Sequence, residues 1–406
     1  MRAPRNFFLL LPVLILYSCA SPPPSRDNGI DTAVSPPGTE ISAWPEPKDP
    51  PAVSPALAPA HDLTIVAVGD NLYHEVMFRD GEEGDYETVY SGIRNLTEKA
   101  DIAFINQETL LAGEDLGLSG YPLFNSPQKL GQAVAAIGFN VVNHATNHIM
   151  DKGEAGVFRT MDFWDALHEV TVLGIHPSEE VRNLPKLVEK NNITLGFLSY
   201  TYGTNGIGIP EDKPYLVSLI DTEIMAGEID ALRPLCDFLV VSMHWGDEYQ
   251  FEINENQETL SCFLAEHQVD LVLGHHPHVI QPIEYILRPD GKFMLCYYSL
   301  GNFISAQTQT PTFLGAMAYI RIEKIPDHEG NTESAIIFTD AGAIPLVTHY
   351  EKGFTGFKVY PLFAYTDELA EKHWKNQGSG ELTLEYLNSL AAKTLGEMEI
   401  QYSPFY

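Results

Sequence analysis

The sequence predicts an α/β fold, and two observations carry that prediction. Short, continuous apolar runs alternate with stretches of helical periodicity from Leu63 onward. Such runs are expected of strands buried on both faces of a sheet. In addition, several runs end on Asp, Asn, Glu or His. In open α/β sheets, ligand-binding groups collect at the carboxyl ends of strands.

Strands are expected over 63–69, 102–107, 139–143, 170–174, 193–199, 237–243, 269–274 and 293–299. Between them, 88–99, 127–137, 154–168, 222–233 and 255–267 place apolar residues three and four apart, the spacing of one helix face. Pro127 stands near a helix start, where a fixed φ and a missing N–H cost nothing. The runs 313–322 and 334–346 read as antiparallel strands at the edge of the assembly, and 380–398 as a terminal amphipathic helix. One domain from 62 to about 350, followed by an appendage over 351–406, is the simplest division.

The N-terminus reads differently. Arg2 and Arg5 precede an apolar run, Phe7 to Leu16, that is too short for a full membrane span. Its end, Leu16-Tyr17-Ser18-Cys19-Ala20, resembles a bacterial lipoprotein signal. That resemblance implies cleavage before Cys19, lipidation of its thiol, and a domain outside the cytoplasm, anchored to the cell membrane. Residues 20–61 are rich in Pro, Ser, Ala and Thr and cannot supply a core, so they read as a stiff tether. Cys236, Cys262 and Cys296 sit in apolar contexts and read as core thiols.

The formal net charge is −31. Nucleic-acid binding depends on Lys and Arg neutralising phosphates, so this balance argues against it. An anionic substrate would need local positive charge, which a bound divalent metal can provide.

The strand-end groups point to such a metal. In GHHPHV, His276 and His278 follow a strand-like run two residues apart, and in an extended segment such residues face the same way. His275 should then face away from them. His244 ends another run, and imidazole is a standard ligand of zinc, manganese and iron. Asp70 and Glu108 offer carboxylates, the latter able to bridge two ions. Asn147 offers an amide oxygen and His148 a general acid. Asp151 is placed to orient His148, with Asn106 and Asn302 supporting the site. Asn143 and His144 form a second Asn-His pair in a supporting role. Tyr200, Tyr202, Thr204 and Asn205 surround Gly203 and Gly206 in a loop suited to substrate contact.

Taken in order, VGDN, FINQE, TNHIMDKG, SYTYGTNG, MHWGDEY, GHHPHVIQ and YSLGNF resemble the CapA family of capsule biosynthesis, associated with poly-γ-glutamate. That family belongs to the calcineurin-like metallophosphoesterase superfamily, and the resemblance covers about residues 63–305. It implies a four-layer α-β-β-α sandwich with mixed sheets and one or two divalent ions (Mn, Zn or Fe). It assigns Asp70, Glu108, Asn147, His244, His276 and His278 to the metals and His148 to the general acid. There are two departures. The superfamily's first motif carries His two residues after Asp70, where this chain has Leu72, and its second carries Asp where this chain has Glu108.

Three functions follow as expectations. The first is a surface-anchored protein in assembly or export of poly-γ-glutamate or a related anionic polymer, working with membrane synthase subunits. The second is a metal-dependent hydrolase of phosphoesters or of an amide-linked polymer. The third is a non-catalytic scaffold of a membrane synthase.

Overall fold

The computed structural model describes residues 61–79, 86–325, 335–377 and 380–405. Cys19, the leader and nearly all of the tether lie outside the described residues.

Two mixed sheets form the centre. The first contains β1 (His61–Asn71), β2 (Ile102–Asn106), β3 (Val141–Asn143), β4 (Thr171–Leu173), β11 (Asn302–Ile304), β12 (Leu314–Ile325), β13 (Ala335–Glu351) and β14 (Thr355–Pro361). Its order is β14-β13-β12-β1-β2-β3-β4, with β11 also pairing with β1. The second contains β5 (Leu187–Lys190), β6 (Ile193–Thr201), β7 (Phe238–His244), β8 (Leu271–His275), β9 (Ile283–Leu287) and β10 (Phe293–Tyr297). Its order is β5-β6-β7-β8-β10-β9. The strands β1–β4 run parallel to one another, as do β6, β7, β8 and β10.

Alternation along the strands builds the layers. In β7, Phe238 and Val240 join Phe104, Ile65 and Leu271 in the core between the sheets. Leu239, Val241 and Met243 point the other way, onto Met225, Ile229 and Leu264 of the helices Thr222–Leu232 and Glu255–Glu266. Side chains along a strand alternate faces, so a strand buried on both sides must be apolar throughout. The first sheet is covered on its outer face by Tyr90, Leu96, Leu130 and Val134, which completes an α-β-β-α sandwich. Capping fixes where helices begin. Asn254 and Gln257 form a reciprocal capping box, and Asp221 caps the helix that starts at Thr222.

Three features differ from the sequence reading. The expected helix over 88–99 is two single turns, Glu87–Tyr90 and Arg94–Thr97. Gly92 lies between them, packed against β14, where a Cβ would lie 2.2 Å from the Val359 carbonyl oxygen. The strands near 313–322 and 334–346 are antiparallel, but β12 is interior, between β1 and β13. Finally, β14 extends the first sheet, and Leu387, Ala391 and Leu395 of the helix Leu384–Leu395 pack into its core.

The topology places the site. The register pairs Asp70 with Asn302 and Asn106, Asn106 with Asn143, and His244 with His275. The carboxyl ends of β1, β2, β3, β7 and β8 therefore open on one edge of the sandwich.

Candidate metal centre

Asp70 follows a bulge between Val68 and Asp70, where β1 changes register against β2. Gly69 is required there, since a Cβ would fall 1.9 Å from the Gly301 carbonyl oxygen. Asp70 is fully buried. Its Oδ1 accepts from Asn106 Nδ2 at 2.7 Å, and Oδ2 lies 3.0 Å from His278 Nδ1. Burial would raise its pKa, but the His278 hydrogen bond and charge hold it below the usual carboxylate range. Behind Asp70, an amide ladder crosses the strand ends. Asn106 Oδ1 accepts from Asn143 Nδ2 at 2.6 Å, and Asn143 Oδ1 accepts from the Ser199 hydroxyl of β6.

Glu108, just beyond β2, is also fully buried, and neither carboxylate oxygen has a hydrogen-bond partner. Burial and the nearby Asp70 charge raise its pKa well above the usual range. His278 Nε2 lies 3.9 Å from Glu108 Oε1. Burial opposes protonation of this ring, yet the two carboxylates push its pKa up to about 9. Donor atoms of Asp70, Glu108 and His278 all lie within 4.8 Å of one another.

The second half of the site comes from the other sheet. His244 Nε2 lies 3.0 Å from Asn147 Oδ1. The His244 and His276 rings are 4.9 Å apart, and those of His276 and His278 5.9 Å. Nδ1 of His244 and of His276 are buried without partners. Burial depresses His276 to about 3 and His244 well below its ordinary value, so both favour the neutral, lone-pair-bearing form.

His276 and His278 converge for a reason other than strand alternation. β8 ends at His275, and His276 and His278 adopt left-handed backbone, at φ +99° and +59°. A sharp turn therefore aims both rings inward. His275 stacks on Phe104, 5.7 Å away and nearly parallel, between the sheets.

At the rim, His148 Nδ1 bonds Asp151 Oδ2 at 2.7 Å, and Asp151 Oδ2 also accepts from the Phe124 N–H. Asn205 links Asn147 and His148 at 3.3 and 3.4 Å. Tyr202 is half exposed and packs 4.6 Å from the His276 ring. Asn302 Oδ1 lies 3.1 Å from His278 Nδ1. Two residues of the SYTYGTNG segment make other contacts. Tyr200 is buried in the second core and donates to Glu228 Oε2, and Thr204 Oγ1 donates to the Ile207 carbonyl. A cavity of about 710 Å³ lined by His176, Arg182, Lys186 and Ser199 is also separate, meeting the ladder only at Ser199.

The donor set fits a divalent ion. A buried carboxylate without hydrogen-bond donors is costly, and a cation beside Glu108 and Asp70 would offset that cost. Carboxylate, amide and imidazole donors suit zinc, manganese or iron.

Residues 64–307 match the family described as bacterial capsule synthesis protein PGA_cap. The chain belongs to this family. It is 30% identical over 190 residues to the PGA biosynthesis protein CapA of Bacillus subtilis (strain 168), covering 46% of this chain and 48% of that one. It is 29% identical over 188 residues to the capsule biosynthesis protein CapA of Bacillus anthracis, covering 45% and 44%. The chain thus spans about half the length of these curated relatives. Among solved structures, the Haemophilus influenzae NAD nucleotidase aligns with a TM-score of 0.44 at 11% identity, over 85% of this chain and 64% of that one. A putative 5'-nucleotidase from Staphylococcus aureus aligns with a TM-score of 0.37 at 11% identity, over 81% and 58%.

In this PGA_cap chain, one residue at the site escaped the sequence reading. Glu248 lies with His276 and His278, their donor atoms within 4.8 Å of one another. Its position in MHWGDEY, four residues after the strand-end His244, was the available signal.

Proposed function

We propose that this protein serves in synthesis or export of an anionic capsule polymer of the poly-γ-glutamate type, at the cell envelope. Membership of the PGA_cap family and the likeness to two CapA proteins support the polymer reading. The lipoprotein-like Cys19 segment supports attachment to the cell membrane by lipid, with a Pro-rich tether holding the domain near membrane synthase subunits. No helix among the described residues is long and apolar enough to cross a membrane.

The observation that carries a metal-dependent role is the buried carboxylate of Glu108, without a hydrogen-bond partner, beside Asp70 and His278. Asp70, Glu108, Asn147, His244, His276 and His278 would hold one or two divalent ions. Such ions supply Lewis-acid polarisation and positive charge to a chain of net charge −31. Tyr202 and Asn205 stand at the open side, where an anionic chain would enter. Deleting the gene in its own host should lower cell-associated anionic polymer. Restoring the wild-type chain should recover it, and His244→Ala together with His276→Ala should not. Unchanged polymer after deletion would end this reading.

The His148–Asp151 pair favours a second reading, hydrolysis of a phosphoester or an amide-linked polymer. Asp151 holds Nδ1 of His148, which leaves Nε2 as the atom to deliver a proton to a leaving group. Turnover of a phosphoester panel should fall about 100-fold or more in His148→Asn, with metal content unchanged. Absence of turnover by the metal-loaded wild-type chain would leave the non-catalytic scaffold role.

A further inference from the structure

Leu72, two residues after Asp70, is buried and carries no donor. Asp70, Glu108 and His278 form one triad of clustered donors. A second triad, Glu248, His276 and His278, meets the same 4.8 Å limit and shares His278 with the first.

Glu248 reaches this position through a pinned loop. Gly246, at φ +84°, turns the chain after β7, and Tyr249 follows in left-handed backbone at φ +64°. On one side of the loop, Trp245 N–H donates to the His275 carbonyl at 3.1 Å. On the other, Tyr249 N–H donates to the Pro277 carbonyl at 2.8 Å. The loop bearing Glu248 is thus tied to both sides of His276. His276 is 4% exposed, and its Nδ1 has no partner. Glu248 itself is exposed, at the mouth of the centre.

We propose that Glu248 is a metal ligand, holding with His276 and His278 a divalent ion at the mouth of the centre. One carboxylate with two imidazoles is a donor set for zinc, manganese or iron, and the exposed side leaves room for solvent or substrate. The inference rests on the metal-centre reading above and adds a ligand which that reading lacks.

The test counts ions. Purified full-length chain is stripped with chelator, reloaded with manganese(II) chloride alone, and assayed for metal content and affinity. The wild type should hold two equivalents. Glu248→Gln should lose one, or bind it at least about tenfold more weakly, as loss of a ligand contact predicts. Its metal-free thermal midpoint should match wild type, because Glu248 is exposed. Glu108→Gln should weaken the other equivalent. If Glu108→Gln loses metal while Glu248→Gln keeps both equivalents at wild-type affinity, the Glu248 assignment falls and the centre stands. If the wild type retains no manganese, both fall.

Discussion

The Asp70 carboxylate and the His278 imidazole meet at 3.0 Å across 208 residues of chain. One sits at the end of β1 in the first sheet and the other just beyond β8 in the second, so the bond ties the two sheets at the site. An ion that binds this folded arrangement must stabilise the protein by mass action. At metal one hundred times its Kd, the gain is about 2.7 kcal/mol. Thermal melts with metal and with chelator should differ accordingly, and His278→Ala should abolish the difference. Identical melts for the wild type would mean that no ion binds the native state.

Glu108→Gln should separate stability from binding. In the metal-free protein the buried carboxylate lies beside Asp70 with no hydrogen-bond donor. Replacing a carboxyl whose charged form is disfavoured by burial and by Asp70 should raise metal-free stability by about 1–3 kcal/mol. The same change should weaken metal binding. Urea titration of stripped protein checks the first effect. A destabilised Glu108→Gln would show that the carboxylate serves the fold instead.

Gly69→Ala should cost about 3 kcal/mol, because the new Cβ would meet the Gly301 carbonyl oxygen at 1.9 Å and force β1 from β11. Gly203→Ala is the counterpart. No atom lies within 4 Å of a Cβ there, so its effect should stay within about 0.5 kcal/mol. Chemical denaturation of both variants compares them directly, and equal losses would contradict the packing argument.

Acid should unfold this protein through buried imidazoles outside the candidate ligand set. Burial depresses His349 to about 4 and His144, His176 and His373 to about 3. The unfolded chain takes up protons near pH 6.5 while the folded rings stay neutral. Stability is therefore fully present above about pH 6.5 and is lost as pH falls toward 4, by up to about 3 kcal/mol per ring. Denaturant midpoints from pH 7.5 down to 4.5 should fall steeply, and His373→Gln should flatten the slope. A midpoint independent of pH over that range would refute the prediction.

The strands that surround the site were legible because they are buried on both faces. FLVV, LVLG and IAFI can be apolar throughout only where a helix or sheet covers each side. The strands β5 and β9 were not legible. They are edge strands with mixed composition, such as Leu187–Lys190 and Ile283–Leu287, and an edge faces solvent on one side. β11 is three residues long, too short for periodicity to show. Within the site, Tyr200 and Tyr202 lie two apart in one loop motif, yet only Tyr202 reaches the histidines. Tyr200 is still inside β6 and points into the helix-side core, whereas Tyr202 lies beyond the strand end.

The sequence alone determined the α/β class, the runs that become strands, and the types of donor that end them, because burial and chemistry are local properties of a segment. Tertiary structure decided which donors come together. His276 and His278 converge through left-handed backbone at a turn, and alternation along a strand does not extend past its end. Glu248 joins them because two backbone hydrogen bonds pin its loop to the next strand's turn. Asp70 meets His278 only because two sheets stack with their carboxyl ends aligned, a contact between distant segments that no local pattern encodes.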